Sequence, residues 1–160
     1  MDGIVELAFF TLIQLLVTWV MAGMMWFAQV VHYPLYKKIK EGFVEYERSH
    51  IKRAALLIGP LMLVEAITAI ILLGMTPSGR LSSLALANLI LLALIWIFTF
   101  LFQVTQHQKL SVQFSQKSLQ GLITSNWIRT LLWTVKGCVM ATMTYYLFQV
   151  ETLGKKFFNL

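Results

Sequence analysis

Apolar residues run almost unbroken over 7–31, 54–75, 81–104 and 131–150, with short polar stretches between. Each run reaches the roughly 20 residues that a helix needs to cross a hydrocarbon core about 30 Å thick. Backbone amides in lipid must find partners within their own segment, so the runs are expected to be helices. The pattern predicts an all-α protein, an integral membrane four-helix bundle forming one domain over 1–160.

The polar stretches refine this layout. Thr76-Pro77-Ser78-Gly79 has the composition of a tight reversal, which makes helices two and three a hairpin. Pro34 is expected to end or kink helix one. Beyond it, Ile39, Phe43 and Tyr46 recur among charges, which predicts a short interfacial helix in the loop 33–51. A second such segment is expected over 108–125, where Leu110, Val112, Phe114, Leu119, Leu122 and Ile123 sit in a polar setting. Together the two segments would roof a site.

Composition agrees with the membrane reading. The chain is 58% hydrophobic and 12% charged, against about half and a quarter in soluble domains. Lys37, Lys38, Lys40, Arg48, Lys52 and Arg53 fall in the first loop, and Lys109, Lys117 and Arg129 in or beside the third. The opposite side has Arg80, Lys155 and Lys156. Basic residues favour the cytoplasmic side, so both larger loops are expected there and both termini outside. Anionic lipid accounts for the net charge of +6 without a nucleic-acid partner. The start carries Asp2 and Glu6 in place of a basic signal-peptide region, so the first helix is expected to be retained. The single cysteine, Cys138, permits no intrachain disulfide.

Helical spacing indicates which polar residues face inward. Gln14, Thr18, Ala22, Met25, Gln29 and His32 recur at steps of three and four, as do Asn88, Leu92, Trp96, Thr99, Gln103 and His107. Each stripe ends in a histidine at the cytoplasmic boundary. Buried Gln, Asn and Thr often serve as interhelical hydrogen-bond glue, and the glutamines are read that way.

Two ionisable residues lie within spans. Glu65 and Lys136 are at similar depths and are each other's obvious partner, although Lys136 snorkelling to the interface beside a neutral Glu65 is the competing arrangement. A proton-relay role for Glu65 is open. Pro60 should bend helix two.

The sharper constellation is at the cytoplasmic boundary. Glu47 and His50 have the Glu-x-x-His spacing that puts a carboxylate and an imidazole on one helical face. With His32 and His107 they would form a first shell for zinc, iron or manganese, with open positions for substrate. Haem ranks lower, because no two histidines occupy facing mid-helix positions. Asn126-Trp127-Ile128-Arg129-Thr130 is a second polar cluster, where Arg129 and Lys136 share a face and could receive a carboxylate, a phosphate or a quinone-like oxygen. The plainer reading gives Asn126 or Ser125 a capping role, Trp127 a place in the aromatic belt and Arg129 a lipid phosphate. Tyr33, Tyr36, Trp26 and Tyr46 read first as belt residues.

The segments Trp26-Phe27-Ala28-Gln29-Val30-Val31-His32-Tyr33-Pro34, Tyr46-Glu47-Arg48-Ser49-His50, Gly59-Pro60-Leu61-Met62, His107-Gln108-Lys109-Leu110 and Asn126-Trp127-Ile128-Arg129-Thr130 resemble a family of small bacterial four-helix membrane proteins. In layout these are similar to the anthrone-oxygenase-like membrane family. The resemblance implies an inner-membrane oxygenase acting on a polycyclic aromatic molecule that enters between helices. A fainter similarity, to small bacterial protoporphyrinogen oxidases, lacks that family's histidine early in helix one, since 11–18 holds none. Two function classes are left open. One is a metal-assisted membrane oxidoreductase or oxygenase acting on a hydrophobic small molecule, with Glu65, Lys136, Asn126 and Arg129 as further catalytic candidates. The other is a non-catalytic membrane subunit or small transporter in which Glu65 and Lys136 pair, with membrane lipids its only evident partners.

Overall fold

The computed structural model of the chain describes residues 2–39 and 41–158. Lys40, one of the basic loop residues, lies outside the described residues. Regular structure among the described residues is entirely helical. It forms four long rods: α1 (Gly3–Tyr36), α2 (Phe43–Met75), α3 (Arg80–Leu110) and α4 (Gln116–Phe158). α1 and α3 each pack on both α2 and α4, which closes a four-membered ring with α1 and α3 on a diagonal.

α1, α2 and α3 are long and apolar enough to cross a membrane. α4 has the length, but Thr134, Lys136, Thr142, Thr144, Tyr145 and Tyr146 dilute its apolar run. Part of the cause is legible in the packing. α4 turns Asn126, Thr130 and Lys136 into the bundle, where they are fully buried.

Neither expected surface helix is a separate element. The segment 43–53 is the first part of α2, which runs unbroken through the apolar stretch with Pro60 inside it. Gly42 turns the chain just before it, at φ 69°, a left-handed conformation that suits glycine. The segment 116–125 is likewise the first part of α4, and Ser115 Oγ accepts the Ser118 amide at its start. No helix breaker separates either amphipathic stretch from the apolar run after it. Each rod therefore continues past the apolar region and buries its apolar positions against its neighbours. Tyr33, Tyr36, Phe43, Leu110, Leu119 and Leu122 form a core there, drawn from all four rods.

Pro34 does not end α1 either. The turn just before it, Ala28–His32, is a π-turn, and helix resumes over Tyr33–Tyr36. Widening the turn relieves the clash of the proline ring with the preceding carbonyls. α3 carries a matching π segment at Thr99–Val104. The hairpin between α2 and α3 is present as expected, with Thr76 extended and Gly79 at φ 118°.

Both polar stripes face the interior. Gln14, Thr18, Ala22, Met25 and Gln29 are buried, as are Asn88, Leu92 and Gln103, while Leu16, Trp19, Trp26 and Phe27 are exposed. The interior is layered along the rods. Met21, Met25, Met62, Leu92, Ile95 and Trp133 form an apolar middle. Leu7, Leu72, Ala85, Met140, Met143 and Leu147 close the end nearer the N-terminus. Polar side chains occupy the levels between these cores.

Candidate functional site

The polar layer at the end with the basic turns gathers all three histidines. His32 leaves α1 at the end of its π-turn, Glu47 and His50 lie one turn apart on α2, and His107 is in the last turns of α3. A π-turn holds one residue more than an α-turn, so it rotates the downstream residues by about 100° relative to a regular helix. The rotations in α1 and α3 set the facing of Tyr33, Gln103 and His107.

His107 Nδ1 lies 2.5 Å from Glu47 Oε1, and Glu47 is fully buried. A carboxylate at this position accepts Nδ1–H and leaves Nε2 as the nitrogen that carries the lone pair. That Nε2 lies 3.4 Å from the Tyr33 hydroxyl, which is itself 3.3 Å from Gln103 Oε1. Gln103 Nε2 donates to Ser125 Oγ at 2.8 Å and so ties the group to α4. On the other side, His32 Nε2 and His50 Nδ1 are 3.2 Å apart, and the Tyr36 hydroxyl is also 3.2 Å from His32 Nε2. The His50 and His107 rings are 5.3 Å apart, centroid to centroid. Each of these two imidazoles is thus held through Nδ1, His107 by Glu47 and His50 by His32.

The sequence expectation that His32, Glu47, His50 and His107 converge is met. The same contacts change what the cluster offers. Glu47 Oε1 and His32 Nε2 are engaged with the other two residues, and among the described residues no three of His, Cys, Asp and Glu are arranged to hold one metal ion. The contacts leave His32 Nδ1 and His50 Nε2 without a protein partner, and His107 Nε2 beside the Tyr33 hydroxyl.

All three histidines line a cavity of about 900 Å³ between α1, α2 and α3. His32, Tyr33, His50, Gln103 and His107 line one end, and Met25, Ile58, Pro60, Met62, Leu63 and Trp96 line the remainder. The space exists because α2 stands away from the bundle. Between Glu47 and Met62 none of its residues is buried. Residue pattern carries no direct sign of this, beyond Gly59-Pro60 within that stretch.

The other candidates lie elsewhere. Lys136 Nζ donates to Glu65 Oε2 and, at 2.8 Å, to Thr18 Oγ1. Thr18 in turn donates to Glu65 Oε1 at 2.7 Å, and Gln14 Nε2 to Glu65 Oε2 at 2.5 Å. Thr68 joins through Gln14. This is the expected pair, not a snorkelling lysine, and Glu65 is roughly 22 Å along α2 from His50 at 1.5 Å per residue. With Lys136 so engaged, Arg129 and Lys136 do not form a joint anion site. Neither Ser125 nor Asn126 caps a helix, because both lie within α4. Asn126 donates to Gln29 Oε1 at 2.9 Å and accepts from Arg129 Nη1 at 3.3 Å. Arg129 is buried, so it does not reach lipid phosphate. Tyr33 and Tyr36 are buried core residues, contrary to their reading as belt residues, whereas Trp26 and Tyr46 are exposed.

Compared with protein families, with characterised proteins and with solved structures, the chain has no significant match. Function therefore has to come from the chemistry of the site.

Proposed function

We propose that the chain is a membrane protein, inserted with the histidine end at the cytoplasmic face and both termini outside, that performs acid–base chemistry on a lipophilic small molecule held between α1, α2 and α3. The observation that carries this is the Glu47–His107 pair at the cavity wall. A buried carboxylate fixes the tautomer and orientation of the ring, which is how a histidine is equipped as a general base. His50, held by His32, is the second group able to take or return a proton. Tyr33 lies beside His107 Nε2 and is placed to hydrogen-bond an oxygen of the substrate.

The location suits a hydrophobic substrate, since such sites are concave, mostly apolar and fitted with few polar groups. One nitrogen of His32, one of His50, both of His107 and one oxygen of Glu47 already have protein partners, so the reading rests on proton transfer. Oxygen insertion, implied by the resemblance to anthrone-oxygenase-like proteins, would add oxygen uptake to the same event. The transporter reading is opposed by the apolar layer of Met21, Met25, Met62, Leu92, Ile95 and Trp133, which separates the histidine site from the Glu65 network.

The test is to incubate the purified protein in detergent with a total lipid extract of bacterial membranes and to follow the mixture by mass spectrometry and an oxygen electrode. Wild-type protein should deplete at least one lipophilic species, and His107→Ala should deplete none. Oxygen uptake in step with depletion would mark an oxygenase. Identical profiles for the two proteins would leave the non-catalytic subunit as the reading to hold.

A further inference from the structure

The cavity has features that narrow its occupant beyond "lipophilic". First, it opens sideways. Phe27, Leu57, Leu63 and Phe100 line it and are each 55–60% exposed, on the surfaces that the three rods turn outward. A molecule in the hydrocarbon region of a membrane would enter there without crossing water.

Second, the cavity is long. Its wall runs from His50 to Leu63 on α2 and from Trp96 to His107 on α3, which at 1.5 Å per residue is roughly 16–20 Å. A volume of about 900 Å³ leaves room along that length for an extended chain. An extended chain advances about 1.2 Å per bond, so the cavity takes a chain of roughly 14–16 bonds.

Third, its polarity is graded. The histidines, Tyr33, Gln103 and Gln108 are at one end with Arg53, which among the described residues is the only permanently charged one in the lining. Arg53 is exposed, one helical turn beyond His50 and next to Lys52. Among the described residues no acidic side chain lines the cavity, and the nearby Glu47 is turned onto His107. An anionic head on an apolar chain is the complement of that gradient.

We infer that the cavity is a lateral-entry site for a single-chain amphiphile with a carboxylate head, the head between Arg53 and His50 and the chain along α2 toward Leu63. This rests on the proposal that the cavity holds a lipophilic molecule, and not on any catalysis there.

Trp96 lines the deep part of the cavity, so bromine atoms in mid-chain of a bound fatty acid would quench it. The experiment adds an 18-carbon fatty acid brominated at mid-chain to the detergent-solubilised protein and records tryptophan fluorescence. A saturable quenching component is expected, absent in Trp96→Phe, with a half-saturating concentration raised at least tenfold by Arg53→Gln while its amplitude is kept. The methyl ester of the same acid and a brominated phosphatidylcholine should give only the non-saturable quenching of micelle partitioning. Saturable quenching by the ester, or an unshifted Arg53→Gln titration, would overturn the carboxylate head. Saturable quenching by the phosphatidylcholine would overturn the single chain. Saturable binding without His107-dependent turnover would sink the catalytic proposal and leave this one standing. Turnover of a lipid without saturable binding of the acid would do the reverse.

Discussion

Lys136 on α4 reaches Glu65 on α2 in the middle of the bundle, and neither side chain has any exposed surface. Thr18 and Gln14 of α1 complete the coordination, so three of the four rods are fixed to one another at that level. Breaking such a pair leaves an orphaned charge and costs about 3–5 kcal/mol, whereas replacing both partners by apolar residues of similar size is often neutral. Lys136→Met is therefore expected to destabilise the detergent-solubilised protein strongly, and Glu65→Leu with Lys136→Met to recover most of the loss. A double-mutant cycle of denaturation free energies measures this. Additive single losses would reject the coupling.

At the other polar layer the expected effect is on chemistry more than on folding. Glu47→Ala removes the group that holds His107 Nδ1, and losing a positioned general base lowers turnover by about 10²–10⁴-fold. Nitrogen chemical shifts of His107 should change from a single tautomer to a mixture. An unchanged tautomer in Glu47→Ala would mean that the carboxylate does not orient the ring.

The proposed topology rests on the basic turns. A reporter that fluoresces only in the cytoplasm should be bright when inserted at Ser115 and dark when fused after Leu160. The reverse pattern would move the histidine site to the outer face, and with it the head of any bound amphiphile.

α1 and α4 approach closely where Gly137 faces Trp19. A Cβ placed on Gly137 would lie 3.0 Å from the Trp19 ring. Alanine there needs only a shift of that partly exposed ring, but leucine needs the rods to part, and overpacking of this kind costs about 1–3 kcal/mol. Thermal unfolding in detergent should show Gly137→Leu well below Gly137→Ala. Equal midpoints would mean that the contact is loose.

The inward stripes are legible in the residues because a helix repeats its faces at a fixed period, so Gln14, Thr18 and Gln29 can be placed without knowing what they meet. The Glu65–Lys136 pair is legible from depth, since few residues in a long apolar run can answer a charge. What Glu65 meets beyond Lys136 is not, because hydrogen bonds from Gln14 and Thr18 depend on rod rotation. The four-residue grouping at the histidine end is readable, but the division of labour within it is not. Whether Glu47 faces a metal or His107 Nδ1 is decided by side-chain torsions that spacing does not encode. The amphipathic stretches within 33–51 and 108–125 read as surface helices because their composition matches an interfacial segment. The same pattern serves a rod that outruns its apolar run and packs against its two neighbours. Tyr33 carries no sign of a site residue for a related reason, since it lies just past a π-turn that no residue pattern announces.

Those wide turns, Ala28–His32 in α1 and Thr99–Val104 in α3, make the proposed chemistry separable from the scaffold. Each amounts to one surplus residue in an otherwise regular rod. Excising Leu101 would let α3 wind evenly, leave the Glu65 level and the cores on either side of it in register, and turn His107 away from the cavity. Such a shortened chain would be a decoy for the present one: the same bundle without the proposed proton-transfer group in place.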